Sequence, residues 1–141
     1  MNHEELISKA SKIIEEKINS HNIAFCTLAL IDVDGYPTTS TLTISKSDGI
    51  NWLTICTDST SKLQRINYCN KASVCINSED YHISLVGTIQ QLTDPTIKKE
   101  MWFEGLENHF KGYDDPNYCV LKFTTKRYTL LIDWQEAKGL L

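Results

Sequence analysis

The residues best placed to do chemistry lie in Thr54–Asn70, TICTDSTSKLQRINYCN. The stretch reads as a short strand, a hydroxyl-rich turn and a short helix. Ser61 has the character of an N-cap, with Gln64 three residues later as the second member of a capping box. Lys62 then falls on the first helical residue, where the positive end of the helix dipole disfavours a cation by about 0.3–1 kcal/mol. A bound anion would reverse that sign. First-turn N–H groups, the hydroxyls of Ser59, Thr60 and Ser61, and the Lys62 ammonium would together suit a phosphate. The plainer reading of the stretch alone, a solvated lysine after a capped turn, is the commoner arrangement.

The elements that must carry this turn are short. Asn2–Ser20 has an amphipathic pattern, with Leu6, Ala10, Ile13, Ile14 and Ile18 on one stripe and charges elsewhere. Asn22–Val33 is nearly continuous apolar sequence, as in a strand covered on both faces. Asp34-Gly35 supplies a tight turn. In the second strand, Pro37–Ser45, Thr39, Thr41 and Thr43 share one face; Thr38, Ser40, Leu42 and Ile44 share the other. That threonine row reads either as a polar exposed face or as hydroxyls offered to a polar planar ligand. Ser47-Asp48-Gly49 leads into a third strand, Asn51–Thr57.

Beyond the short helix, Lys71–Asn77 and Tyr81–Thr93 read as a hairpin across Ser78-Glu79-Asp80. Gly87 within the long strand marks a bend or a close backbone approach. Asp94-Pro95 opens a helix over TIKKEMWFEGL. After a loop with Gly112, Asp114, Asp115 and Pro116, Tyr118–Thr124 and Tyr128–Trp134 read as final strands with Lys126-Arg127 between them. Six or seven strands at hairpin spacing predict a mainly β protein: one antiparallel barrel with flanking α-helices, a single domain over 1–141.

Composition narrows the function classes. Of 141 residues, 14 are Lys or Arg and 18 are Asp or Glu, a formal charge of −4 with no basic stripe, which argues against a nucleic-acid partner. The charged N-terminus reads as neither signal peptide nor membrane span. Cys26, Cys56, Cys69, Cys75 and Cys119 form no C-x-x-C pair, and four lie in apolar runs, the usage of buried thiols in a reducing cytoplasm. His3, His21, His82 and His109 are scattered, so no metal site is expected.

The order and spacing of several motifs resemble the FMN-binding split-barrel family, relatives of pyridoxamine 5′-phosphate oxidase, and within it the general-stress-protein-like subgroup. The motifs are DGYPTTSTLT (Asp34–Thr43), T-x₃-S-K (Thr57–Lys62), NKASVCIN (Asn70–Asn77), YHISLVGTI (Tyr81–Ile89), KKEMW (Lys98–Trp102), HF (His109–Phe110) and DDPNYCVLKF (Asp114–Phe123). The resemblance runs from Ile23 to about Trp134. It implies a Greek-key split barrel and a homodimer with FMN at the interface.

Carried over residue by residue, it implies that Ser40, Thr41, Leu42 and Thr43 contact the flavin, followed by Cys56 and Thr57 at the end of the third strand. Lys62, with Ser61 beside it, corresponds to the phosphate-binding lysine. His82 corresponds to a polar position reaching the flavin from the partner chain, and Trp102 and Trp134 are aromatic candidates at that edge. No catalytic acid or base is indicated. The oxidase's phosphate-holding arginine on the second strand is replaced by Ser40, and the turn before Lys62 is one residue shorter than in many relatives. Its C-terminal Arg-x-His is absent from DWQEAKGLL, so pyridoxine phosphate is not the expected substrate. The resemblance implies an FMN-dependent oxidoreductase of unknown substrate; the cysteine usage adds a cytoplasmic setting, and a slot walled by neutral groups makes a nicotinamide the candidate donor. The alternatives are a non-catalytic flavin or cofactor carrier, a stress-related sensor, or the same fold holding a deazaflavin or haem.

Overall fold

A computed structural model describes residues 1–20, 24–59 and 61–141. Along the chain the elements are α1 (His3–Asn19), β1 (Phe25–Ile31), β2 (Pro37–Asp48), β3 (Trp52–Asp58), α2 (Ser61–Tyr68), β4 (Lys71–Asn77), β5 (Tyr81–Leu92), α3 (Pro95–Met101), a 3₁₀ turn (Leu106–Asn108), β6 (Tyr118–Ile132) and β7 (Gln135–Leu140). His21, Asn22, Ile23 and Thr60 lie outside the described residues, and with them the expected start of β1 and one hydroxyl of the candidate cradle.

Alternating burial along the strands builds the barrel wall. β1 pairs with β2 and β4, β2 with β3, β4 with β5, and β5 with β6, all antiparallel. A further pairing of β3 with β6 closes six strands into an antiparallel barrel, the split-barrel architecture expected from the sequence. Leu28, Ile55, Val74, Leu85 and Phe123 fill the interior. α1 begins where the Asn2 side chain accepts the Glu5 N–H at 2.8 Å. It buries Leu6, Ala10 and Ile14 in the same core, with Ile13 and Ile18 half-buried beside them. Among the described residues no helix is long and apolar enough to cross a membrane.

Four local expectations are corrected. Ser61 is the first residue of α2 and not its cap, and Lys62 is therefore the second. α3 stops at Met101 because Trp102 turns extended (φ −65°, ψ 134°), and only Leu106–Asn108 resumes a helical turn. Tyr118–Ile132 is one strand: Lys126 and Arg127 are successive exposed positions at a bulge, where the β5–β6 register shifts between Val86 and Gly87. Trp134 does not end a strand. Asp133 and Trp134, both at positive φ (51° and 65°), turn the chain into β7, which pairs with the second half of β6.

Candidate functional site

The β3–α2 turn gathers the expected polar groups. Thr57 is buried, and its Oγ1 donates to Asp58 Oδ1 at 3.3 Å. The Ser59 N–H donates to the Asn117 carbonyl at 2.8 Å, tying the turn to the start of β6. Lys62 Nζ lies 3.4 Å from Asp58 Oδ1, and its side chain is only 15% exposed. One helical turn further, Arg65 Nη2 donates to Ser61 Oγ at 2.9 Å. The turn thus holds two cations, Lys62 and Arg65, against one carboxylate, Asp58. Sequence reading missed Arg65 and Asp58, although both are legible as i,i+4 partners of residues it did name.

The threonine row of β2 leads to this turn. Thr39 and Thr41 are exposed and Thr43 is half-buried, as the alternation predicted. Thr43 pairs with Cys56 across β2–β3, so the row ends beside the strand that feeds the turn. Ser40 and Leu42 are half-buried on the opposite, inward face. Laterally, the register runs Thr41–Thr27–Cys75–Ser84–Thr129 through β2, β1, β4, β5 and β6. The next row is Thr39–Ala29–Ser73–Val86–Arg127. This outer face is made mostly of small, uncharged side chains, with Phe25 projecting from its edge at 53% exposure.

Cys56 and Trp102 belong to a second apolar cluster outside the β3–β6 pair. Cys56 Sγ lies 3.7 Å from Tyr118 Oη and 3.8 Å from the Met101 carbonyl. Trp102 meets the Tyr118 ring edge-on at 5.1 Å, with Phe110 at 6.5 Å. Tyr118 Oη donates to the Lys98 carbonyl at 3.0 Å, which anchors α3. Burial pushes the Cys56 thiol above its ordinary range, against the opposing effect of hydrogen bonds from Tyr118 and Ser45. The Tyr118 phenol is raised as well, first by burial and then by Cys56. Both groups stay neutral near pH 7 and offer packing rather than acid–base chemistry.

His82 and Trp134 stand apart from the turn. His82 is exposed at the start of β5, paired with Asn77 on β4 and Leu131 on β6. It and Trp134, which is 88% exposed, border a small cavity of about 80 Å³ with Tyr81 and Leu131. β1 and β4 separate β5 from β2, roughly 14 Å across three strand spacings. Within one chain the candidates therefore fall in two groups. Thr43, Cys56, Thr57, Ser61, Lys62 and Trp102 gather around the β3–α2 end, with Ser40, Thr41 and Leu42 leading to it along β2, while His82 and Trp134 lie across the sheet. Among the described residues no three His, Cys, Asp or Glu side chains converge as metal ligands.

A closed six-stranded antiparallel barrel with a basic turn after its third strand defines the class of protein. The chain belongs to the family described as pyridoxamine 5′-phosphate oxidase like, whose sequence profile matches residues 9–135. Its fold is similar to that of a protein from Clostridium acetobutylicum related to general stress protein 26, at 22% identity and a TM-score of 0.86, over 99% of this chain and 97% of that one. A pyridoxamine 5′-phosphate oxidase-related, FMN-binding protein from Nostoc punctiforme matches at 13% identity and 0.65, over 98% and 94%. A haem-binding protein from Mycobacterium smegmatis matches at 13% and 0.72, over 95% of this chain and 57% of that one. No curated protein matches by sequence.

Proposed function

We propose that the chain is an FMN-binding flavoprotein that works as a homodimer and acts as an oxidoreductase with a nicotinamide donor. The observation that carries this reading is the β3–α2 turn. Lys62, Arg65, Ser61 and Thr57 bring two cations and two hydroxyls to one end of an exposed threonine row. That donor set suits a phosphate monoester joined to a polar chain and a planar ring. Arg65 also answers the loss of the family arginine at Ser40, because it returns a second positive charge from the helix side.

Bound FMN would supply two-electron redox chemistry that no side chain here provides. The protein's own work is to bind and orient. Lys62 and Ser61 would hold the phosphate, and Thr41 and Thr43 would lie along the ribityl chain and ring. Within one chain His82 and Trp134 lie across the sheet from Thr43 and Lys62. Contribution from a second copy, across the small uncharged outer face, accounts for their separation. Membership of the family and the FMN-binding relative support the cofactor. The haem-binding relative keeps a carrier in view as the second reading.

The test is titration with FMN and riboflavin, followed by flavin fluorescence. Lys62→Ala is expected to weaken FMN roughly ten- to a hundredfold, the worth of a charge-assisted phosphate contact at about 1.5–3 kcal/mol, and to leave riboflavin unaffected. Parent-like FMN affinity in that variant would reduce Lys62 to a surface lysine.

A further inference from the structure

The carboxylate of Asp58 sits inside the basic turn. Its Oδ1 accepts from the Lys62 ammonium at 3.4 Å and from the Thr57 hydroxyl at 3.3 Å. These are the two kinds of donor that a phosphate oxygen would take there. The two partners differ in freedom: the Lys62 side chain is 15% exposed and that of Asp58 is 53% exposed. Lys62 is held, and Asp58 has room to swing out. A carboxylate and a phosphate dianion cannot share one ammonium and one hydroxyl without strong repulsion.

We infer that Asp58 is a specificity-determining residue that competes with the ligand's phosphate for Lys62 and Thr57, so that the site holds a phosphorylated flavin as an exchangeable guest. The inference rests on the phosphate reading of Lys62 given above. Asp58 pairs with the lysine when no phosphate is present. On binding, phosphate oxygens take over both donors, Asp58 turns to solvent, and its residual charge lowers the affinity. Arg65, engaged with Ser61 Oγ, is not neutralised by Asp58 in this arrangement and remains to favour the anion. An ion pair serving only to steady the start of α2 makes the opposite prediction, because removing Asp58 would then loosen Lys62 and weaken the site.

The experiment measures FMN and riboflavin affinity by fluorescence titration, and FMN release by dilution, for the full chain and for Asp58→Asn, Asp58→Ala and Lys62→Met. Both Asp58 variants are expected to bind FMN about tenfold more tightly and release it more slowly, with riboflavin unchanged. Melting curves confirm that each variant is folded. FMN affinity unchanged or weakened in both folded Asp58 variants overturns the inference, while a loss in Lys62→Met in the same series leaves the phosphate reading standing. If the parent shows no preference for FMN over riboflavin and Lys62→Met changes nothing, both ideas fall together.

Discussion

Gly87 on β5 faces the backbone carbonyl of Thr124 on β6 so closely that a Cβ at residue 87 would run into the carbonyl oxygen. The obstacle is backbone on a central strand, beside the bulge that lets β6 run unbroken, so it cannot swing aside. Gly87→Ala is expected to cost about 2 kcal/mol or more, by forcing the β5–β6 pair apart. Denaturant unfolding of the variant against the parent measures it; a difference near zero would mean the strands slide without strain.

Acid should loosen the loop before β6. The Asp115 carboxylate accepts backbone N–H groups of Lys111 and Asn117, both at 2.9 Å, and these hold its carboxyl below the usual range. A carboxyl depressed in the folded state stabilises above its unfolded pKa, about 3.9. That stabilisation is lost as pH falls from there toward the folded value. Asp115→Asn should therefore melt lower than the parent at pH 7, and the gap should close below about pH 4. A gap independent of pH would assign the effect to something other than this carboxylate.

Assembly can be read from one thiol. Cys75 is half-buried on the outer face, and Cys69 is half-buried at the end of α2, away from the two strand rows. In a dimer built on that face, a thiol reagent should reach Cys69 and not Cys75. Ala29→Arg, which places a charge in the neighbouring row of the same face, is expected to give a monomer by sedimentation equilibrium and to open Cys75 to labelling. A parent that sediments as a monomer yet binds one FMN per chain would remove the need for a shared site.

Chemistry is tested by reduction. With neutral Cys56 and Tyr118 as the nearest titratable side chains of the apolar cluster, the protein's remaining task is to seat a hydride donor beside the flavin. Anaerobic mixing of the FMN-loaded protein with NADH or NADPH should bleach the flavin band slowly. Bleaching by dithionite alone would favour a carrier.

The strands were legible because burial imposes a period of two. Thr39, Thr41 and Thr43 fell on one face of β2 as the alternation required, and Gly87 announced a close approach. β7 escaped notice because the turn before it uses Asp133 and Trp134, with no Gly or Asn to mark positive φ. The unity of β6 escaped for a related reason: two adjacent polar residues signal a turn in sequence but can equally be the two sides of a bulge. At the site, Lys62 was readable from its place in a motif. The role of Arg65 was not, because it depends on a side chain folding back four residues to Ser61. His82 and Trp134 fell far from Lys62 because spacing along a chain says nothing of which barrel edge meets which.

β6 serves two neighbours along a single edge, β3 over its first half and β7 over its second. The β7 partner is local, one tight turn away, whereas the β3 partner is separated by α2, β4, β5 and α3. Loop-closure entropy therefore sets an order of events: the β5–β6–β7 meander can form early, and the β3–β6 seam should zip last. The Ser59 N–H to Asn117 carbonyl bond lies at the end of that seam, so the basic turn would be completed only as the barrel shuts. A flavin bound there would act as a clasp on the slowest step, retarding unfolding far more than it hastens folding.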